Sequence, residues 1–141
     1  MLANEVPLLS SPPEPPPSVA FLSPFDSLIW DRKLLSSLFG FDYVWDLFHQ
    51  AAKRRFGWYV LPILFRDRFV GRFEPRIDRD GERVEVLGLW WEDDFSPRRD
   101  NGFVEAMRDA LDAYLRFAGM GSFDWPAHLA SERRLFSSRR R

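Results

Sequence analysis

The sequence of 141 residues contains no cysteine and little of three other residue types that often carry chemistry. The missing cysteine excludes disulfides, zinc–thiolate sites and thiol nucleophiles. Histidine occurs only as His49 and His128, glutamine only as Gln50, and lysine only as Lys33 and Lys53. Neither histidine has a serine or cysteine partner in a recognisable nucleophile motif. We therefore expect no catalytic residue, no bound metal and no cofactor in this chain.

Long apolar runs are also missing. None approaches the ~20 residues that span a bilayer, and no basic region followed by an apolar stretch marks the N-terminus for export. The formal net charge is -1 and the sequence pI is about 6.1, so the chain as a whole does not attract nucleic acid or acidic lipid. We expect a cytoplasmic protein with no membrane partner, associated with the nucleoid if it binds DNA, and any anion binding must be local.

A folded domain is nevertheless indicated, because 45% of the residues are hydrophobic and 16% are aromatic. Residues 1–20 differ from the rest, since they hold six of the eleven prolines and no basic residue, which is typical of an extended linker. The predicted organisation is a linker at 1–20, one domain at 21–118 and a partly ordered basic tail at 119–141.

Two short elements are predicted at the start of the domain. Apolar positions at helical spacing over 28–39 predict a helix that ends at Gly40, with Asp31 as a candidate cap. The alternation in "FDYVWDLF" (41–48) predicts a strand.

The strongest strand signals follow in three segments, 57–66, 69–77 and 82–92, which predict a β-meander. Pro62 and Pro75 predict edge positions, bulges or bends, because proline donates no ladder hydrogen bond. In the second segment two alternating sets predict a sheet with one solvated face. The sets are Phe69, Gly71, Phe73 and Ile77 on one side and Val70, Arg72, Glu74 and Arg76 on the other.

A long amphipathic helix is predicted at the end of the domain, where apolar residues recur at helical spacing from Val104 to Ala118 and Gly119 provides a stop. Its outward positions, including Arg108, are predicted to form a solvated face. The predicted fold is α+β: an antiparallel β-meander or partly closed barrel of about four strands, with a short N-terminal helix and a long C-terminal amphipathic helix.

Basic residues are concentrated in residues 53–76, which contain seven cations against Asp67 and Glu74. Arginine and lysine beside aromatic rings suit phosphate contacts and base stacking. The alternative is a solvated hairpin rim whose aromatic residues belong to the core, and the residues alone favour neither. The DNA-binding candidates are Lys53, Arg54, Arg55, Phe56, Trp58, Tyr59, Arg72 and Arg76.

Acidic residues form two groups, Asp78 with Asp80 and Glu92 with Asp93 and Asp94. A hydrolase or a metal site needs such groups to converge on one point. The first pair lies in a predicted turn and the second group near a helix start, so we interpret both as structural, and a small independent hydrolase is the least favoured function.

Several short motifs occur in order over residues 22–72: "LSPFD" with "WDR", "LFGFDY", "KRRFGWYVLPIL" and "VGR". In this order they resemble the C-terminal region of winged-helix DNA-binding proteins, which include the crosslink-repair DNA glycosylases of the YcaQ type. The resemblance covers roughly residues 12–118. It makes Ser23, Pro24, Phe25, Asp26, Trp30, Asp31 and Arg32 a structural motif. In that motif we expect Phe25, Ile29 and Trp30, together with Phe21, to pack the end of the linker onto the domain.

The sequence also departs from this family's pattern. Asp46, Phe48 and Gln50 stand where Glu, Tyr and Pro are usual, and "FEPR" (73–76) replaces a different segment. Asp46 and the Glu74/Arg76 pair preserve charge, so a buried ion pair or polar network is expected to remain. Glycosylases of the family resemble one another in a Gln-x-Gln segment within their N-terminal winged-helix part. Gln50 is the only glutamine here, so no residue inherits that role and this chain alone is not expected to be an enzyme.

Two functions follow from the resemblance. The first is a DNA-binding accessory domain of a glycosylase-like repair protein, present as a truncated product or as one part of a split protein, with duplex or damaged DNA as its partner. The second is a structural domain that docks on an N-terminal winged-helix polypeptide and has no DNA affinity of its own.

Overall fold

The computed structural model describes residues 11–45 and 50–137. Its fold is α+β, as predicted, with a five-stranded mixed sheet in the form of a half-barrel. The strands are β1 (Val19–Phe21), β2 (Leu61–Phe65), β3 (Arg68–Asp78), β4 (Arg83–Trp91) and β5 (Ser122–Asp124). The α-helices in the described ranges are α1 (Ser27–Trp30), α2 (Arg32–Phe39), α3 (Phe103–Ala118) and α4 (Ala130–Phe136).

The strands lie in sequence order across the sheet, β1-β2-β3-β4-β5. The first three pairs are antiparallel, which confirms the predicted meander of β2, β3 and β4, whereas β5 joins β4 in parallel. The strand β1 includes Val19 and Ala20, so the sheet begins within the segment assigned to the linker.

Two register shifts interrupt the meander, between Ile63 and Leu64 and between Glu74 and Pro75. They lie beside the two prolines for which bulges or bends were predicted. The first shift pairs Leu64 with Phe69 and Ile63 with Gly71, so Val70 is an extra residue in β3. An extra residue reverses which side chains face which way, because side chains alternate along a strand.

This reversal makes the predicted face assignment wrong for the start of β3. Val70 packs with Phe73 in the main core, whereas Phe69 packs in a second core on the opposite face. The prediction of one solvated face is also wrong, since residues 69–75 are buried throughout. Both faces of the sheet are therefore covered.

The main core lies between the sheet and the C-terminal helices. Phe103 and Met107 of α3 and Phe136 of α4 are buried in it with residues of β2, β3 and β4. The helix α3 ends at Gly119, whose φ of 68° suits a residue without a Cβ, and this confirms the predicted stop. Since Leu129 and Phe136 belong to this core, the packed unit continues beyond Ala118.

The residue Arg108 of α3 does not simply face solvent, as predicted for that side of the helix. Its guanidinium donates to the Leu135 carbonyl at 2.7 and 3.1 Å and so ties α4 to α3.

Within the two described ranges, no helix combines the length and apolar character that crossing a membrane requires.

The predicted helix over 28–39 is split in two at Asp31. Asp31 has an extended conformation, and its carboxylate accepts the Leu34 N–H at 3.0 Å as the N-cap of α2. Asp26 caps α1 in the same way through the Leu28 N–H at 2.9 Å. Gly40 ends α2 with a φ of 60°, as predicted.

The strand predicted at 41–48 is wrong for residues 41–45, and 46–48 lie outside the described residues. Phe41 and Tyr43 are buried and Asp42 and Val44 are exposed, so the alternation is real. The segment lies over the sheet without pairing with a strand. The Asp42 carbonyl accepts from the Arg72 side chain at 2.5 Å, and the Tyr43 hydroxyl donates to the Val60 carbonyl at 2.8 Å.

Candidate nucleic-acid interface

Residues 53–59 are here called the basic loop. They begin at Lys53, the last residue of a short 3-10 helix (Ala51–Lys53), and lead towards β2. Lys53 and Arg55 are exposed, and Arg54 is half-buried with its guanidinium carbon 5.8 Å from the centre of the Trp58 ring. Trp58 is itself exposed. The structure thus brings Arg54 and the exposed Trp58 ring of the predicted DNA-binding set together, with Lys53 and Arg55 exposed on either side of Arg54 in the chain.

The backbone of the basic loop is held by Glu74 of β3, which is 7% exposed. Its Oε1 atom accepts the N–H groups of Trp58 at 2.7 Å and Tyr59 at 3.1 Å. The carboxylate comes so close to Gly57 that a Cβ at that position would overlap it. A larger residue therefore fits there only if the Glu74 carboxylate moves.

The other buried charge of β3 is Arg72, which is 5% exposed. Its guanidinium lies between the rings of Phe41 and Phe56, at 4.3 and 4.4 Å from their centres. It also donates to Glu92 and to the carbonyl of Asp42. Burial lowers the pKa of Arg72, while the charge and hydrogen bond of Glu92 oppose that shift.

The remaining candidate of this group, Arg76, is exposed but donates to Glu85 at 2.5 Å. The hydrogen bond and charge of Glu85 raise the pKa of Arg76. Of the network expected for Asp46, Glu74 and Arg76, Asp46 lies outside the described residues, and Glu74 and Arg76 have different partners: Glu74 accepts backbone N–H groups, and Arg76 binds Glu85. To bind an external phosphate, Arg72 would have to release Glu92, and Arg76 would have to release Glu85.

The cluster of seven cations over 53–76 is thus divided in the folded chain. Arg66 binds Glu14, Arg68 binds Asp94, and Arg72 and Arg76 bind Glu92 and Glu85. These acids come from other segments, so four of the seven cations are paired within the domain. Of the other three, Lys53 and Arg55 are exposed, and Arg54 lies over the Trp58 ring.

The aromatic candidates separate in the same way. Phe56 is half-buried between Arg72 and the Trp90 ring, which lies 5.3 Å away, so it packs the domain. Tyr59 is exposed but lines a different surface, a groove of about 540 Å³ between β1 and α3. We call it the β1–α3 groove, and Phe21, Tyr114 and Phe117 also line it. Burial raises the pKa of Tyr114 there.

The "LSPFD" and "WDR" segments also depart from expectation. Ile29 is buried, but Phe25 is 63% and Trp30 76% exposed, so the prediction that these two rings pack the linker onto the domain is wrong. They border a cavity of about 380 Å³, here called the aromatic pocket. Its lining residues are Pro24, Phe25, Ile29, Trp30, Arg32, Tyr43 and Trp45. Ser23, Asp26 and Asp31 accept nearby backbone N–H groups.

Three of the five acidic residues bind other parts of the domain, and Asp80 and Asp93 are exposed. Asp78 accepts the Gly81 N–H at 3.1 Å in the turn between β3 and β4 and binds Arg83, while Glu92 and Asp94 bind arginines of β3. In the described ranges no three histidine or acidic side chains are placed to hold a metal ion. His128 is exposed in the 3-10 helix Ala127–Leu129, and His49, Asp46 and Phe48 lie outside the described residues.

Sequence reasoning missed two features of this interface. It did not identify Glu74 as the residue that holds the basic loop, because Glu74 lies sixteen residues from Trp58 and only the fold brings the two together. It also missed the aromatic pocket, although the order of the motifs had already singled out Phe25, Trp30 and Arg32.

The comparisons with known proteins agree with the order of the motifs. No solved structure matches the chain. The family described as DNA glycosylase AlkZ-like matches residues 2–117, which is most of the sequence and includes the basic loop, the sheet through β4 and helix α3. This match connects the chain with DNA repair. The chain belongs to the AlkZ-like DNA glycosylase family, the YcaQ-type family that its motifs resemble.

Proposed function

We propose that this chain is a DNA-binding accessory domain of a glycosylase-like repair protein and that the basic loop is its phosphate-binding element. One observation carries the proposal: Arg54 lies over the exposed ring of Trp58, and its chain neighbours Lys53 and Arg55 are exposed. Lysine and arginine side chains bind phosphates, and an exposed aromatic ring adds a stacking surface.

The anchoring of the basic loop supports this role. Glu74 binds two of its backbone N–H groups, and Arg72 stacks on Phe56. A loop held at two points loses less conformational freedom when it binds a ligand than a free loop does. The three cations are therefore displayed on a preorganised support.

The accessory part of the proposal is supported by residue types. Gln50 is the only glutamine in the sequence, so there is no Gln-x-Gln segment, and the described residues contain no group of three histidine or acidic side chains that could hold a metal ion. We propose that the chain contributes DNA affinity and that glycosylase chemistry, where it occurs, needs other residues.

The test is a salt titration of binding to fluorescently labelled duplex DNA, measured by anisotropy. The variant Lys53→Ala/Arg54→Ala/Arg55→Ala removes three cations, and log affinity on B-DNA falls by about 0.9 per decade of salt for each neutralised phosphate. We expect the triple variant to bind more weakly and its salt slope to be smaller by up to about 2.7, which is three times that value.

A matched control is Arg116→Ala/Arg133→Ala/Arg134→Ala, which removes three exposed arginines from α3 and α4. Both variants change the formal net charge from -1 to -4, that is, -1 minus 3. Equal weakening in both variants would show a nonspecific charge effect, and unchanged binding in the loop variant would exclude the basic loop. Either result contradicts the proposal.

A second candidate function is docking on an N-terminal winged-helix polypeptide without DNA affinity. The β1–α3 groove favours it, because most of its lining residues are apolar, including the 84% exposed Phe117, and contiguous exposed apolar surface marks interaction sites. Pull-down with the winged-helix half of a family member tests it. This function is favoured over the first if the winged-helix half captures the wild-type chain but not Phe117→Asp, and if the wild-type chain does not bind DNA.

A further inference from the structure

The aromatic pocket has the composition of a site for a nucleobase. Four of its seven lining residues are aromatic, and the only charged one is Arg32. Its volume of about 380 Å³ lies within the range of small-molecule sites, about 300–1,000 Å³. We propose that it binds one unpaired base of a single-stranded segment of DNA. This inference rests on the proposed function, because it assumes that DNA lies on the basic loop.

The exposure of the rings is the first argument. Trp30 is 76% and Phe25 63% exposed, although both are large apolar side chains. Trp30 is the last residue of α1, and Asp31 starts a new helix directly after it, so backbone geometry rather than packing holds the ring at the surface. A stacked base would remove such rings from water, and every base offers a flat face for this purpose.

The positive charge of Arg32 beside the aromatic rings indicates the kind of ligand. Arg32 lines the pocket and forms no ion pair with any residue that the structure describes. The nearby carboxylates of Asp26 and Asp31 accept backbone N–H groups at the starts of α1 and α2. Arginine binds phosphate and stacks on flat rings, so the pocket fits a base with its phosphate better than an apolar peptide.

The pocket is also continuous with the basic loop. The rings of Phe25 and Trp45 are 4.8 Å apart in an edge-to-face arrangement. The indole N–H of Trp45 donates to the Trp58 carbonyl at 3.2 Å, and Arg54 lies over the Trp58 ring. A strand whose phosphates bind Arg54 therefore passes beside the pocket, where one unpaired base can leave the strand and stack on Trp30 or Phe25.

The experiment compares three labelled DNAs by anisotropy with the full chain: a single strand of about 12 nucleotides, within the usual site size of single-strand binders, its duplex, and the same strand without bases. The variants are Trp30→Ala and Phe25→Ala. We expect affinity for the single strand to fall about 5- to 150-fold in Trp30→Ala, the range for stacking of one base. Affinity for the duplex and for the abasic strand stays unchanged, because both lack an unpaired base.

Phe117→Ala is the matched control, since it removes an exposed ring that lines the β1–α3 groove and not the aromatic pocket, and it should leave all three affinities unchanged. Trp30→Phe should recover most of the loss. The inference is overturned if Trp30→Ala and Phe25→Ala bind the single strand like the wild type, or if they lose as much affinity for the abasic strand. The proposed function is judged separately, because the basic-loop variant must weaken binding to all three DNAs.

Discussion

On one face of the sheet, α3 and α4 cover buried side chains that are all apolar, whereas on the other face the N-terminal segment covers Arg72 and Glu74 as well as aromatic rings. The apolar face is closed by a regular helix, α3, which spans sixteen residues. The mixed face is closed by two short helices and by segments 41–45 and 50–60, whose only regular element is one 3-10 turn.

This difference follows from how the segments packed on each face satisfy their backbone hydrogen bonds. A helix satisfies its own backbone hydrogen bonds, so apolar contact is enough to hold it on a sheet. In a segment that is neither helical nor paired in a sheet, the backbone N–H and C=O groups must form hydrogen bonds with other groups. Glu74 accepts two such N–H groups, and Arg72 donates to the Asp42 carbonyl. The buried charges therefore hold the irregular backbone in place.

The largest expected effect comes from the apolar face. Phe103 is fully buried and contacts the rings of Phe65, Phe95 and Trp91. Phe103→Ala leaves a cavity there, and we expect the free energy of unfolding to fall by about 3–5 kcal/mol. Urea unfolding measures it. In the control Phe117→Ala, which alters an exposed ring of the same helix, the change should stay within about 0.5 kcal/mol, and equal losses would contradict the burial.

The sequence predicts this apolar face well. The spacing of Val104, Met107 and Leu111 identifies α3, and the strand signal over 82–92 identifies β4. It fails at the bulge beside Pro62, where one extra residue moves Phe69 to the other face. Whether a proline makes a bend or a bulge depends on the partner strand, which lies elsewhere in the chain, so the local pattern does not decide it.

The second effect concerns the mixed face. Arg72→Met keeps the volume but leaves Glu92 and the Asp42 carbonyl without their donor. Breaking a buried ion pair costs about 3–5 kcal/mol, and we expect the lower end, about 3 kcal/mol, because Glu92 is 27% exposed. The measurement is again urea unfolding. The double variant Arg72→Met/Glu92→Leu should recover much of the loss, since it removes the unpaired charge.

The pair between Arg76 and Glu85 provides the matched control on the same strand. Arg76 is 64% exposed, so water replaces the lost contact and Arg76→Met should cost much less than Arg72→Met. Similar losses in the two variants would mean that burial does not distinguish the two ion pairs.

The sequence could predict only part of the candidate interface. It identified Lys53, Arg54, Arg55 and Trp58, because consecutive cations in a turn remain at the surface. It overestimated the charge of the whole segment, because Glu14, Glu92 and Asp94 lie far away in sequence and neutralise its arginines only in the folded chain. Alternation in 41–45 identified an extended backbone, but extended backbone pairs in a sheet only where a neighbouring strand is available.

The smallest effect tests whether Glu74 holds the basic loop. A Cβ on Gly57 overlaps the Glu74 carboxylate, so Gly57→Ala must push that carboxylate away from the Trp58 and Tyr59 N–H groups. Leaving buried polar groups unpaired costs about 1–3 kcal/mol. We expect a loss of stability in that range by urea unfolding, together with weaker DNA binding, because the loop loses its anchor.

The neutral control is Gly121→Ala, where the nearest atom to an added Cβ is the Glu82 carbonyl oxygen at 4.0 Å and no shift is needed. A double-variant cycle then identifies the cause. In a Glu74→Ala background the carboxylate is absent, so Gly57→Ala should cost little more than Gly121→Ala does. If Gly57→Ala is as costly there as in the wild type, the glycine matters for its backbone alone and Glu74 does not hold the basic loop.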